Sequence, residues 1–157
     1  MPTIRSTSIE HLCIEDVSLD SLQLMRLFRC TPNLRHLTVC IDKLSKNAQV
    51  SSVIQSISSV KFVVDHLTYG TINLLKNMPN LTLLTLQTGK HHMNGHKWKY
   101  LIGDYLPKLK KFQFLMLFLV NNEEEMNEIL DSYRTPFWLI DHQWFVRCHW
   151  NLEIDKI

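Results

Sequence analysis

The chain has 157 residues, 45% hydrophobic and 20% charged, which suits one folded domain and excludes a disordered chain. A formal net charge of +2 is too small to indicate a nucleic-acid-binding protein by itself. The four cysteines form no Cys-x-x-Cys pair and MPTIRSTSIEHL has no apolar signal-peptide core, so we expect reduced thiols in an intracellular protein, cytoplasmic or nuclear.

The predicted elements begin with an apolar strand pattern that recurs along the chain. Its frame is L-x-x-L-x-L, apolar at the first, fourth and sixth positions, and the copies start at residues 9, 34, 57, 81 and 109. Three copies follow similar tripeptides, Pro32-Asn33-Leu34, Pro79-Asn80-Leu81 and Pro107-Lys108-Leu109. Proline lacks an N–H and ends a preceding helix, so each tripeptide predicts a helix-to-strand junction.

The third copy admits two registers. Ile57, Val60 and Phe62 can fill the frame, which puts Asp65 at its ninth position, where Asp42 stands in the second copy. Aligning Ser58-Ser59-Val60 with Pro-Asn-Leu instead changes the neighbouring steps to 26 and 21 residues. We prefer the first register and keep the second open.

Amphipathic stretches separate these strands and predict helices over roughly 20–30, 46–57, after Gly70, across 98–105 and after Asn122. Asn122 is a candidate cap, with Glu123–Glu125 at the positive end of the helix dipole. The predicted apolar faces, in chain order, are Leu22, Met25, Leu27, Phe28; Val50, Val53, Ile54, Ile57; Ile72, Leu74, Leu75, Met78; Trp98, Leu101, Ile102, Tyr105; and Met126, Ile129, Leu130, Tyr133.

A strand-helix unit that recurs every 23 to 28 residues predicts an α/β leucine-rich-repeat solenoid of about five repeats. Right-handed connections would give a parallel inner sheet with helices on the convex side. The alternative is an ordinary doubly wound α/β domain. The asparagine usual at the ninth position is largely missing, so we expect irregular turns; the residues there are Val17, Asp42, Asp65, Gly89 and Leu117.

The two ends of the chain differ. The first copy starts nine residues from Met1 without a capping unit, which favours membership of a longer array. After an array over 1–134, residues 135–157 predict an aromatic capping segment of the same domain. Within it, Trp144, Val146, Cys148 and Trp150 alternate with other residues, which predicts a capping strand. The alternative is an aromatic interaction surface.

No enzyme motif is present, and we expect no catalytic, cofactor or metal site. The cluster His91, His92 and His96 lacks a completing cysteine or carboxylate, and Cys148 and His149 point to opposite faces of a strand. The longest apolar run, 112–120, is broken by Gln113 and is too short to cross a membrane.

Lysines with interleaved Trp98 and Tyr100 across Lys90–Lys111 raise nucleic-acid binding as the alternative function. We do not favour it, because Trp98 falls on a buried helix face and Glu123–Glu125 would balance the charge. We predict instead a protein-binding inner face of the sheet, formed by the third and fifth frame positions. These are His11, Cys13, His36, Thr38, Ser59, Lys61, Leu83, Thr85, Lys111 and Gln113.

The segments LFRCTPNLRHL (27–37) and LLKNMPNLTLL (74–84) resemble the leucine-rich repeats of F-box proteins, and the resemblance covers residues 9 to about 117. It implies substrate reception for a cullin-based ubiquitin ligase. In that family an N-terminal F-box binds a Skp1-type adaptor. No Leu-Pro-x-Glu-type segment precedes the repeats here, so we expect that partner only if an F-box lies upstream.

Overall fold

The structure is a computed structural model that describes residues 5–42, 44, 52–89, 93–117, 120 and 122–146. These residues form five strands and four α-helices, followed by a π-helical turn at Phe137–Asp141. The strands are β1 (His11–Leu19), β2 (His36–Ile41), β3 (Ser59–Val64), β4 (Leu83–Thr88) and β5 (Lys111–Met116). The helices are α1 (Ser21–Cys30), α2 (Tyr69–Lys76), α3 (Gly95–Tyr105) and α4 (Glu123–Ser132).

The strands form one open sheet in chain order, β1-β2-β3-β4-β5, and every neighbouring pair is parallel. Helices connect β1 to β2, β3 to β4 and β4 to β5, and another follows β5. The prediction of an α/β fold with a parallel sheet is therefore confirmed, and its regular order is compatible with a solenoid-like repeat. No helix in the described ranges is long and apolar enough to span a membrane.

The preferred register of the third copy is confirmed. Val60 lies opposite Leu37 and Phe62 opposite Val39, so Ile57 takes the first position of the frame. The backbone repeats in the same register, because the N–H groups of Ser58 and Ser59 both donate to the Arg35 carbonyl. The equivalent paired bonds join Arg35 and His36 to Glu10, Thr82 and Leu83 to Ser58, and Lys110 and Lys111 to Thr82.

The core lies between the sheet and the helices. Alternate strand residues point into it, as in β2, where Leu37, Val39 and Ile41 are buried between half-buried neighbours. Helix residues such as Leu74 and Trp98 belong to the same cluster, so the helices cover one face of the sheet. Each such side chain contributes about 1.5–3 kcal/mol of burial free energy, and a repeat obtains this only when its neighbours are stacked on it.

Each helix begins at a polar residue whose side chain accepts a backbone N–H, as the exposed first turn requires. The predicted cap at Asn122 is confirmed, since its Oδ1 accepts from the N–H of Glu125 at 2.8 Å. The apolar face predicted for α1 is partly wrong, because Leu22 is 71% exposed and the missed residue, Leu24, is buried. Leu24 forms the i, i+3, i+4 face with Leu27 and Phe28, and Leu22 lies on the opposite side of the helix.

The helix predicted over 46–57 is absent from residues 52–57, which are irregular; residues 45–51 lie outside the described part of the chain. Ile54 and Ile57 are buried as expected, but Val53 is 56% exposed. The Ile54 N–H donates to the carbonyl of Asn77 at 2.7 Å. The backbone of this segment thus bonds to the next repeat and not to its own next turn.

The capping strand predicted near the C-terminus is wrong for its described residues. Phe137–Asp141 is a π-helical turn and residues 143–146 are irregular, while 147–157 lie outside the described ranges. Pro136 has the helical φ of −51°, which starts the turn. Gln143 has φ 54° and reverses the chain, so the Trp144 N–H donates to the Trp138 carbonyl at 2.8 Å. Both tryptophans then contact Phe112, so within the described residues aromatic side chains cover β5.

Candidate functional site

The face of the sheet opposite the helices carries three rows of half-buried or exposed side chains, and we call it the open face. The structure places all ten residues predicted for the inner face in two of these rows, directly across from one another. The first row is His11, His36, Ser59, Leu83 and Lys111. The second row is Cys13, Thr38, Lys61, Thr85 and Gln113.

Sequence reasoning missed the third row, which is formed by Cys40, Val63, Gln87 and Leu115. It occupies the seventh position of the frame and shares the face of positions three and five, because side chains alternate along a strand. Simple alternation could therefore have found it. On β1 the row is irregular, since the pairing shifts between Ile14 and Ser18.

Polar groups on the β1–β3 side of the open face contact one another. The rings of His11 and His36 stack with centroids 4.2 Å apart. Lys61 Nζ lies 3.0 Å from Glu15 Oε1, and this hydrogen bond to the carboxylate raises the pKa of the Lys61 ammonium. The Cys40 thiol donates to the Glu15 carbonyl at 3.3 Å. Several polar side chains on this side of the open face therefore already have partners within the protein.

On β4 and β5 one uncharged polar pair is likewise joined, but the lysine of this side has no ion-pair partner among the described residues. Thr85 Oγ1 and Gln113 Oε1 lie 3.4 Å apart, with the Thr85 hydroxyl donating. Leu115 is 52% exposed beside Gln87, and Lys111 is exposed beside Leu83. Within the described residues no ion pair engages Lys111 or its neighbours Lys108 and Lys110.

Glu123–Glu125, which the sequence suggested would balance these lysines, begin α4. Within the described residues no ion pair joins Glu123 or Glu124 to Lys108, Lys110 or Lys111. The balance of charge stays a prediction.

A ladder of side-chain bonds crosses the amino edge of the sheet, where the strands begin. Asn33 Nδ2 donates to the Thr7 carbonyl and Asn80 Nδ2 to the Gln55 carbonyl, each at 2.8 Å and each one repeat back. Lys108 occupies the same place in its tripeptide and donates to Asn80 Oδ1 at 2.7 Å. The asparagine ladder sought at the ninth position is thus replaced by one in the Pro-Asn-Leu tripeptides, a signal that the sequence contained.

The same edge contains a shallow polar depression of about 500 Å³. Its described lining consists of Glu10, Asn33, Arg35, Gln55, Ser56 and Ser58. No histidine that could activate the two serines is among these residues, and no cysteine is either. Ser58 Oγ donates to the Arg35 carbonyl at 3.3 Å, so this hydroxyl already serves the backbone. The depression therefore has the groups for hydrogen bonding and none of the usual arrangements for nucleophilic catalysis.

Of the three histidines weighed as metal ligands, the structure describes one, His96. His96 is exposed at the start of α3, while His91 and His92 lie outside the described ranges. Among residues that the structure describes, no group of three or more His, Cys, Asp or Glu side chains could hold a metal ion. Cys148 and His149 are also outside these ranges, and His142 stacks on Trp144 with ring centroids 4.2 Å apart.

The basic-aromatic segment is divided between core and surface. Trp98 is fully buried, so it cannot stack on a base, whereas Tyr100 is 57% exposed. Lys76 Nζ lies 4.3 Å from the centre of the Tyr105 ring, which therefore already contacts a cation of the same chain. Lys90 lies outside the described ranges.

What the open face offers is a rigid platform of mixed polar, apolar and basic side chains. Its strands are fixed by parallel pairing along the whole sheet, so the rows keep their spacing without a bound partner. No family model, curated protein or solved structure matches this chain. The geometry of the open face is thus the basis for a functional proposal.

Proposed function

We propose that the chain is a leucine-rich-repeat module that recognises another protein through the open face of its sheet. The observation that carries this proposal is the alignment of ten side chains in two unbroken rows on the face without helices. A surface that is rigid before binding loses little conformational entropy in the complex. A mixture of hydroxyl, imidazole, amide and aliphatic groups favours a protein surface as its partner.

The narrower proposal is that the module receives substrates for an F-box-type ubiquitin ligase in the cytoplasm or nucleus. It is supported by the Pro-Asn-Leu units, which resemble those of F-box proteins. An F-box encoded in the reading frame upstream of Met1, and binding of a Skp1-type adaptor by that longer product, would support it. A stop codon directly upstream would remove the ligase role and leave the recognition module.

The recognition proposal can be tested by comparing proteins that crosslink to wild type and to surface variants in extracts of the source cells. We expect Thr38→Arg and Thr85→Arg, both on the open face, to lose at least tenfold of the crosslinked partner. The matched control Asn127→Arg, on the exposed side of α4, should retain it. Equal crosslinking by the open-face variants and the control would refute the proposal, provided that thermal unfolding shows all three to be folded.

Nucleic-acid binding is the second candidate, favoured by Lys108, Lys110 and Lys111, which form no ion pair within the described residues. Such binding releases counterions, so its affinity falls steeply as salt rises. A single-stranded oligonucleotide whose affinity falls more than about tenfold between 50 and 200 mM salt would favour this candidate. Partner crosslinking that survives nuclease treatment and 200 mM salt would favour protein recognition.

A further inference from the structure

The open face divides into two chemically different halves. In the half made by β1 to β3, the polar groups engage one another through the histidine stack and the Glu15–Lys61 ion pair. The remaining half, which we call the β4–β5 half, contains no carboxylate. Its six side chains are Leu83, Thr85, Gln87, Lys111, Gln113 and Leu115.

The β4–β5 half lacks an internal partner for its charge. Lys111 is exposed, and Lys110 and Lys108 add positive charge beside it at the amino edge. Lys61, the lysine of the other half, has the carboxylate of Glu15 at 3.0 Å, and Arg35 at the amino edge has that of Glu10 at 3.8 Å. The positive charge of Lys111 and its two neighbours has no such carboxylate beside it among the described residues. A ligand that supplies negative charge to the β4–β5 half would therefore be electrostatically complementary to it.

Apolar surface lies at the other end of the same half. Leu115 is 52% exposed and stands on the same face of β5 as Lys111, four residues away. That spacing is about 13 Å along the strand. Leu83 lies beside Lys111 and is half-buried. A ligand that satisfies both ends thus combines anionic groups with a large apolar side chain.

The size of the face favours a segment over a globular surface. Five strands about 4.8 Å apart and six residues long make a platform of about 19 by 17 Å. One side of a standard protein interface buries about 800 Å², more than twice this flat area. An extended segment spans 13 Å in four residues, so an acidic residue and an apolar residue four positions apart would reach both ends of the β4–β5 half.

We propose that the β4–β5 half of the open face docks an acidic protein segment with an apolar side chain about four residues from its acidic group. Carboxylates of the segment pair with Lys111 and Lys110, and its apolar side chain packs on Leu115. This inference rests on the proposed recognition function and specifies where on the face the partner binds.

The test uses three fluorescein-labelled probes and the full chain, with binding followed by fluorescence anisotropy. The acidic probe is a decapeptide with Glu at positions 2 and 3 and Leu at positions 6 and 7. The basic probe has Lys in place of Glu, and the third probe is a ten-nucleotide single strand of dT. We expect the acidic peptide to bind, and the basic peptide and the oligonucleotide to bind at least tenfold more weakly.

Variants then locate the site. Lys111→Glu should weaken binding of the acidic peptide at least tenfold and Leu115→Ala at least threefold. The matched controls are Lys97→Glu on α3 and Leu22→Ala on α1, both exposed and away from the sheet, and they should change binding less than twofold. Equal losses in Lys111→Glu and Lys97→Glu, tighter binding of the oligonucleotide, or no binding of the acidic peptide would each overturn the inference.

Crosslinking of the cellular partner by the variants distinguishes a failure of this inference from a failure of the recognition function on which it rests. If Thr85→Arg abolishes crosslinking and Lys111→Glu leaves it unchanged, the open face recognises a protein but not through an acidic segment. If neither substitution affects crosslinking, the recognition proposal itself fails.

Discussion

The two ends of the sheet use the same repeat frame with different results. On β1, the frame residues Leu12 and Ile14 are only half-buried, and the pairing with β2 shifts after Ile14. On β5, Phe112 is buried and lies beneath a layer of later aromatic side chains. In linear repeat arrays a residue stabilises the fold only as far as neighbouring repeats enclose it, so we expect the two ends to contribute unequally.

The enclosed end is a connected aromatic cluster. Trp138 lies 6.1 Å from Phe112 and 5.0 Å from Tyr133, measured between ring centroids, and is itself fully buried. Trp144 adds a contact to Phe112 at 5.8 Å. Aromatic pairs at such distances add about 0.5–1.5 kcal/mol each beyond the area that they bury.

A close approach between α3 and α4 holds this cluster in place. The Gly95 N–H donates to Ser132 Oγ at 2.7 Å, and the Tyr133 hydroxyl donates to the Met93 carbonyl. A methyl group at Gly95 would overlap the Ser132 carbonyl oxygen, so only glycine permits this packing. The position is an example of glycine selected for close backbone contact.

The largest expected effect comes from opening the β5 end. Trp138→Ala should lower the free energy of unfolding by about 3–5 kcal/mol, because the whole ring is buried. Its indole N–H has no partner among the described residues, so the substitution removes no hydrogen bond to them. The control Ile140→Ala, in the same turn but 69% exposed, should change stability by less than about 0.5 kcal/mol. Equal losses in urea denaturation would show that this turn does not cover the core.

A matched leucine series measures the difference between an end and the interior. Leu12, Leu37 and Leu84 occupy the fourth frame position on β1, β2 and β4. Truncation to alanine should cost about 2–5 kcal/mol at Leu37 and Leu84, which are 2% and 0% exposed. The half-buried Leu12 should cost about 1 kcal/mol, because its site already contacts solvent. A Leu12 loss as large as that of Leu84 would mean that β1 is enclosed as tightly as the interior.

The parts of the fold that depend only on sequence periodicity could be predicted. The L-x-x-L-x-L frame predicted which side chains share a row, because strand alternation leaves no freedom once the register is known. The irregular segment 52–57 and the reversal at Gln143 could not be predicted in this way. They depend on bonds to distant residues, Ile54 to Asn77 and Trp144 to Trp138, which no local pattern encodes.

For the candidate site, the sequence predicted the residues but not the contacts between their side chains. The register predicted which residues lie on the open face, but it did not predict the ion pairs among them. Glu15 on β1, for example, pairs with Lys61 on β3 across the intervening strand β2. Likewise, whether Glu123–Glu125 approach Lys111 depends on the tertiary path between β5 and α4, which sequence proximity does not encode.

Alkaline pH offers a smaller effect at the enclosed end. Burial raises the pKa of the Tyr133 hydroxyl. Below pH 10 the group is neutral in both states, and above it the unfolded chain ionises while the folded chain resists, so stability falls as pH rises. We expect an added loss of up to about 1.4 kcal/mol per pH unit above pH 10, measured by urea denaturation. Tyr133→Phe should flatten this slope, and Tyr69→Phe, at an exposed site, should not. An unchanged slope in Tyr133→Phe would indicate that the cluster admits water.

The smallest effect concerns one hydrogen bond that occurs twice. Asn80 donates to Gln55 within the stack, and Asn33 donates to Thr7 beside the β1 end, at the same distance of 2.8 Å. Asn80 is half-buried and also accepts from Lys108, whereas Asn33 is exposed. Asn80→Ala should therefore cost about 1 kcal/mol and Asn33→Ala about 0.5 kcal/mol in denaturant unfolding. The exposed Asn127→Ala on α4 is the control and should be neutral. Equal costs at the two ladder positions would argue that the bond itself determines the contribution. A larger cost at Asn80 would extend to polar contacts the rule expected for Leu12 and Leu84, that enclosure by neighbours determines what a repeated residue contributes.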